Sequence, residues 1–184
     1  MYTLKTLQPG DEVLLENFLL QHIDTSMFLR SNCHNAGLIN QGRRFQGTYV
    51  AAIVDHQIVA IAAHYWNGML VVQAPVYLEA VVQATVTQSG QAISGIAGPA
   101  SQVTATKQIL RIGNQAIRQD EQEILFSLAP QDLQIPIALA SGKVQCRLLT
   151  SCTWKSGCQN HDYVQGELGV QCEVKEDTQP FVEK

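Results

Sequence analysis

The sequence predicts an α/β (α+β) domain in which a mixed, mostly antiparallel sheet carries helices on both faces. Three observations lead there. Two helical stretches open the chain, the texture turns at Gln46 to Val, Ile, Tyr and Ala broken by turn residues, and helix-like and strand-like stretches alternate after Pro75. An antiparallel meander feeding helix-crossed strands fits such a sheet, with any ligand expected near the carboxyl ends of its strands.

The elements run in order along the chain. Asp11 to Gln21 reads DEVLLENFLLQ, with Val13, Leu14, Phe18 and Leu19 close to one helical face and two carboxylates at the positive end of the helix dipole. Thr25 and Ser26 offer an N-cap to a second helix over Met27 to Asn35, which Gly37 can end in a left-handed conformation. Three short antiparallel strands are expected between Gln46 and Pro75, turning at Asp55-His56-Gln57 and at Asn67-Gly68. Asn67-Gly68 is the stronger hairpin signal, because both residues tolerate the positive φ of a type I′ turn. Pro75 then introduces a helix over Val76 to Gln88, with Leu78, Val81, Val82 and Val86 on one face and Ser89-Gly90 as its stop. A buried strand over Ala92 to Ala97 and a helix from Ala100 to Leu110 come next, then a strand over Gln122 to Leu128. Pro130 and Pro136 punctuate a linker, and Val144 to Leu148 reads as a short closing strand.

The division expected is therefore a domain over 1–130, a connector with a short strand over 131–150, and a cysteine-rich, poorly ordered tail over 151–184, where hydrophobic periodicity is lost. Composition narrows the classes. Hydrophobic residues make up 46% and charged residues 15% of the 184, enough to bury a core. A net charge of −4, with no basic run beyond Arg43-Arg44, argues against a nucleic-acid partner. No apolar stretch approaches the ~20 residues that span a bilayer, and the first residues do not read as a signal peptide, so a cytoplasmic chain without membrane insertion is expected. Five cysteines, an odd number, fit free thiols in a reducing compartment. Cys146, Cys152, Cys158 and His161 lack the Cys-x-x-Cys knuckle of a zinc site, so no metal is expected.

Several stretches carry a resemblance. FLLQHIDTSMFLRSNCHNAGL at 18–38, AAIVDHQIVAIAAHYWNGMLVVQAP at 51–75 and ISGIAGPASQV at 93–103, in this order of elements, resemble the GCN5-related N-acetyltransferase (GNAT) family. The likeness is to the amino-terminal, degenerate half of two-part bacterial members, and spans roughly residues 10 to 148. ALASGKVQCRLLT resembles the connector before the catalytic copy, and HDYVQGELG that copy's first helix. The resemblance implies a GNAT-like fold for 1–130. It also implies an acetyl-CoA pyrophosphate loop of the type Arg/Gln-x-x-Gly-x-Gly/Ala after a meander strand, where backbone N–H groups meet the phosphates at a helix amino end. At that junction the sequence reads LVVQAPVYLEA, from Leu70 to Ala80, and Gln73-Ala74-Pro75 contains no glycine. Bulkier residues hold the backbone away from a phosphate.

The resemblance and the missing glycines together imply an acetyltransferase-like domain that is non-catalytic by itself, with no cofactor for this chain alone and acetyl-CoA if the family activity is retained. Its partner would be a catalytic GNAT domain or a second copy of itself. The alternative is an active N-acetyltransferase acting on an unknown amine. Gly95 and Gly98 are the remaining cofactor-binding candidates, although such glycines more often permit tight helix-sheet packing. His22, Asp24 and Ser26, with Thr25 between them, fall where the family often lines its acceptor cleft, and capping accounts for the same residue types. Asp55, His56 and His64 are the polar groups of the meander; a hairpin tip and a satisfied histidine are the simpler readings. Cys33 and His34 are adjacent on a helix and point about 100° apart, which does not make a nucleophile and its base. Arg30, Arg43 and Arg44 read as surface charges, and Tyr65-Trp66 as packing.

Overall fold

A computed structural model describes residues 1–124, 126–148 and 170–174, and the chain divides into two units, Met1–Ser127 and Leu128–Lys184. The first unit holds β1 (Thr3–Thr6), α1 (Glu12–Leu20), α2 (Met27–Ala36), β2 (Gly47–Val54), β3 (Gln57–Tyr65), β4 (Met69–Gln73), α3 (Leu78–Ser89), β5 (Gly95–Ala97) and α4 (Ala100–Ile109). The second holds a four-residue helix, α5 (Ile137–Ala140), and an antiparallel pair, β6 (Val144–Leu148) with β7 (Val170–Val174), in which Cys146 and Cys172 are register partners. The rest of the 151–184 tail, including Cys152, Cys158 and His161, lies outside the described residues.

The main sheet has the order β1-β2-β3-β4-β5, antiparallel at the first three pairings and parallel between β4 and β5. It is a mixed, mostly antiparallel sheet with helices on both faces. Strand alternation sorts the side chains: Tyr49, Ala51, Ile61, Ala63, Tyr65 and Val71 join Leu15, Phe18, Leu19 and Leu29 of α1 and α2. Ala52, Ala60, Ala62, Leu70 and Val72 join Val81 and Val82 of α3, with Ile109 and Leu110 packed alongside. One irregularity keeps the sorting intact. Between Ala52 and Ile53 the register shifts, so that Ala52 faces Ala60 while Ile53 faces Ile58, and Val59 is the additional residue. This β-bulge turns Ile58 onto the same face as Ile61, whereas Val59 packs on the opposite cluster.

Several sequence expectations change. A strand precedes the first helix: β1 pairs with β2 from Thr3↔Ile53 to Thr6↔Val50, but its TLKT sequence shows no apolar alternation. In α1 the buried face is Leu15, Phe18 and Leu19, and Val13 is 73% exposed. The α3 helix starts two residues later than Val76, with the expected face extended by buried Thr85. Gly37 has positive φ (67°), but its ψ of −166° is extended instead of left-handed helical. The type I′ turn expected at Asn67-Gly68 falls instead at the β2–β3 hairpin. Asp55 and His56 both have positive φ (48° and 63°) between paired Val54 and Gln57, the signature of a type I′ turn. At the other hairpin only Gly68 has positive φ, and its N–H closes the turn on Tyr65 O at 2.9 Å.

The expected strand over Gln122 to Leu128 does not form among its described residues. Ile124, Phe126 and Leu128 are 76%, 87% and 62% exposed, so their alternation lacks a covering face. Periodicity alone does not supply a pairing partner.

At the end of α4, Ile112 N–H bonds Lys107 O at 3.0 Å and Arg111 takes φ +54°. This is a Schellman closure whose left-handed position normally belongs to glycine. A side chain there costs roughly 1 kcal/mol. Arg111→Gly should therefore raise stability by about 1 kcal/mol in a denaturant titration, and a loss of stability would contradict this account of the cap.

Candidate functional site

The carboxyl end of β4 is where separate parts of the chain converge. Gln73, the last residue of β4, is buried, and its Oε1 accepts a 2.7 Å hydrogen bond from Thr25 Oγ1 in the turn between α1 and α2. The next residue, Ala74, donates its N–H to Gln102 Oε1 of α4 at 2.7 Å. Pro75 has no N–H to offer. Tyr77, at the amino end of α3, adopts a left-handed conformation (φ 53°, ψ 25°) and stacks on Tyr2 with ring centroids 4.3 Å apart. The junction between β4 and α3 is thus closed by a hydroxyl and an amide from two helical regions, Thr25 and Gln102.

The polar turn from His22 to Ser26 is divided between roles. Ser26 occupies the N-cap position of α2 without capping it. Its buried hydroxyl instead lies 2.8 Å from the carbonyls of Leu19 and His22, tying α2 back to α1. A hydroxyl has one hydrogen, so the two carbonyls share it. The His22 ring packs against Phe18 with centroids 4.8 Å apart and planes tilted by 60°, and Asp24 is exposed. Of this group, Thr25 is the residue that reaches the end of β4. The sequence offered Thr25 as a capping type within the polar cluster of the expected acceptor cleft, and Gln102 carried no signal beyond its place in the first turn of a helix.

Gly95 and Gly98 differ in their surroundings. Gly98 has φ +149°, and a Cβ there would sit 2.5 Å from Val72 O, so the chain leaving β5 presses on the backbone of β4. At Gly95, which pairs with Met69, a Cβ would meet the Met69 thioether sulfur at 2.5 Å. A thioether can move aside; a strand carbonyl cannot.

A second feature is an open cleft of about 940 Å³ along α1 and α2, with Leu15, Leu19, Ile23 and Met27 among its apolar lining. Across it Arg30 grips Glu16 with Nε 3.1 Å from each carboxylate oxygen, and this pairing holds the Glu16 carboxyl below its ordinary value. Cys33 also lines the cleft, but burial pushes its thiol up and Glu12 and Glu16 add to the shift, so it is a poor thiolate. Beneath α2, the hydroxyls of Tyr49 and Tyr65 bond each other at 2.9 Å, and burial raises both phenols well above the ordinary tyrosine value.

The meander's other polar groups fall elsewhere. Asp55 and His56 form the exposed tip of the β2–β3 hairpin, whereas His64 is fully buried against Ser89 and Gly68. Arg44 lies over the Phe45 ring at 4.7 Å. Among the described residues no group of three or more His, Cys, Asp or Glu could hold a metal ion, and no helix is long and apolar enough to cross a membrane. Neither a family model, nor a curated protein, nor a solved structure matches the chain.

The glycine geometry separates packing from ligand contact. Gly98→Ala should cost about 2 kcal/mol by overpacking against Val72 O, while Gly95→Ala costs under ~1 kcal/mol because Met69 can repack. Thermal denaturation of the two variants without added ligand measures this, and equal effects would remove the distinction.

Proposed function

We propose that the Met1–Ser127 unit is an acetyltransferase-like (GNAT-like) module that does not catalyse acetyl transfer by itself and serves a binding or structural role beside a catalytic acetyltransferase domain. The reading rests on the sequence resemblance, and the mixed sheet with helices on both faces agrees with it. The observation that carries the loss of catalysis is the state of the β4–α3 junction. A cofactor loop there needs several backbone N–H groups directed at a pyrophosphate. Here Ala74 N–H is spent on Gln102, Pro75 has none, and Tyr77 enters α3 in a left-handed conformation where a glycine would be unstrained.

General-base chemistry has no support at the same place. A base for amine acetylation must reach the acceptor nitrogen within hydrogen-bond distance or through one water. The side chains that hydrogen-bond at the end of β4 are those of Thr25, Gln73 and Gln102, none of which takes a proton near neutral pH. His64 has no exposed surface.

Titration calorimetry of the whole chain with acetyl-CoA tests this reading. No binding at micromolar concentrations is expected, and no thiol should be released from acetyl-CoA in the presence of polyamine, aminoglycoside or peptide amines. Micromolar affinity would overturn the loss of the cofactor site, and amine-dependent thiol release would establish instead an active N-acetyltransferase.

A further inference from the structure

His64, the penultimate residue of β3, lies on the face covered by α3, and its ring joins three pieces of chain. Nδ1 lies 2.7 Å from Ser89 Oγ at the end of α3, and Nε2 lies 3.3 Å from Gly68 O in the β3–β4 turn. Gly68 O also accepts Ser94 N–H at 2.8 Å, and Ser94 Oγ donates to Asn67 O at 2.7 Å, so the segment entering β5 hangs from the same turn. The fit is close: a Cβ on Gly68 (φ +78°) would stand 2.9 Å from both Ala92 O and Ser94 Oγ.

Counting protons shows what this corner tolerates. A carbonyl can only accept, so Nε2 carries a hydrogen, and in the neutral ring Nδ1 accepts the single hydroxyl hydrogen of Ser89. On a cationic ring Nδ1 becomes a donor, and Ser89 must turn its hydrogen to Val86 O, 3.1 Å away. The hydrogen bonds can rearrange in this way. The charge, however, has no counter-ion among the described residues.

The elements packed on His64 present Thr48 from β2, Leu70 from β4, Ser89 from α3 and the backbone of Gly68 and Ala92. Residues 46–74 contain one carboxylate, Asp55, which with His56 lies at the opposite end of β3, and no Lys or Arg. Residues 75–99 contain one charged side chain, Glu79, in the first turn of α3 and far from Ser89. The α4 helix on the same face carries Lys107, which is paired with Asp120. The phenols of Tyr49 and Tyr65 belong to the cluster on the other face. The carboxyl end of α3 favours a cation, but its fractional charge does not replace the lost hydration of a full one.

We propose that His64 is a proton-operated latch: a cationic ring opens the corner formed by the 67–68 turn, the end of α3 and segment 91–94, and releases the edge strand β5 while the β1–β4 meander stays folded. The meander is secured by long ladders and two clusters of buried side chains, whereas β5 meets β4 at three register positions only. Local opening draws on such weakly held edges. Its release exposes the β4 edge from Met69 to Val71 as unpaired backbone.

Proton linkage sets the sign. Burial pushes the His64 imidazole below its ordinary value, and the carbonyls of Gly68 and Ala92 pull it partly back. The open corner, with an ordinary histidine, binds more protons than the closed one. Closure is therefore fully stable above about pH 6.5 and weakens by up to tenfold per pH unit below it, until the closed-form value is passed.

Amide hydrogen exchange by NMR on the full chain between pH 7.5 and 5, with intrinsic rates divided out, tests the latch. Protection at residues 94–97 should fall by up to tenfold per unit below pH 6.5, while Ala51 and Ala62 keep theirs, and His64→Gln should flatten the profile. Uniform loss that includes Ala51 and Ala62, unchanged protection at 94–97, or the same pH-dependent loss in His64→Gln overturns it. In the unmutated chain the His64 ring resonances should titrate together with the Gly68 and Ser94 amides below pH 6.5. Titration of the ring with no response from those amides also refutes the latch.

Discussion

Burial of β2 and β3 on both faces is the constraint on which the rest of the first unit depends. With α1 and α2 on one side and α3 on the other, these strands have no water-facing row for polar side chains. Each residue must be apolar or bring its own hydrogen-bond partner. Five alanines, at 51, 52, 60, 62 and 63, are fully buried, and their small side chains let both helix layers approach the sheet. The larger residues then sit where a helix leaves room, and the bulge at Val59 keeps Ile58 and Ile61 together. Each fully buried Leu, Ile or Val in these clusters contributes about 1.5–3 kcal/mol, so the two-sided packing dominates over any single polar contact.

Polar groups that remain inside are consequently paired in short, local sets. Tyr49 meets Tyr65, Thr85 Oγ1 bonds Val81 O at 2.6 Å, Gln73 meets Thr25, and His64 meets Ser89 and Gly68. The Gln73 and His64 sets tie the sheet to a neighbouring turn or helix, whereas Tyr49–Tyr65 joins two strands and Thr85–Val81 stays within α3. At the end of β4 this pairing uses the groups that a phosphate-binding loop would need to leave open. On the acetyltransferase-like reading proposed above, a closed junction and a non-catalytic module are thus two aspects of one arrangement.

Much of the architecture was legible in the sequence because burial leaves period-specific traces. The meander, α3 with Leu78, Val81, Val82 and Val86, and the short strand before α4 could all be read from runs of apolar residues between Gly, Pro, Asn and Asp. Pairing was less legible. β1 is a four-residue edge strand whose apolar content is a single leucine, and it forms because β2 offers an unpaired edge. The segment around Ile124 and Phe126 has the alternation but pairs with no described strand and stays exposed. Turn chemistry misled for a related reason: Asn67-Gly68 suits a two-residue turn, but Asn67 Oδ1 is taken by Met69 N–H at 3.2 Å and the turn begins at Tyr65. The Thr25–Gln73 and Ala74–Gln102 contacts join residues 48 and 28 positions apart, and no local pattern encodes them.

The two ends of β4 differ in a way that derives from the same two-sided burial. At its carboxyl end the closing groups are amides and a hydroxyl, whose hydrogen bonds do not depend on pH in the physiological range. At its amino end the closing group is an imidazole, the side chain whose charge changes between pH 5 and 8. A strand buried on both faces can accept a titratable group only in its neutral form, and that group then sets the pH at which its surroundings are secure. Because β5 enters the sheet at this end, proton sensitivity falls on the edge strand and leaves the helix-covered centre untouched. The core and the edge of one sheet therefore answer to different variables, the first to apolar packing and the second to the protonation of a single ring.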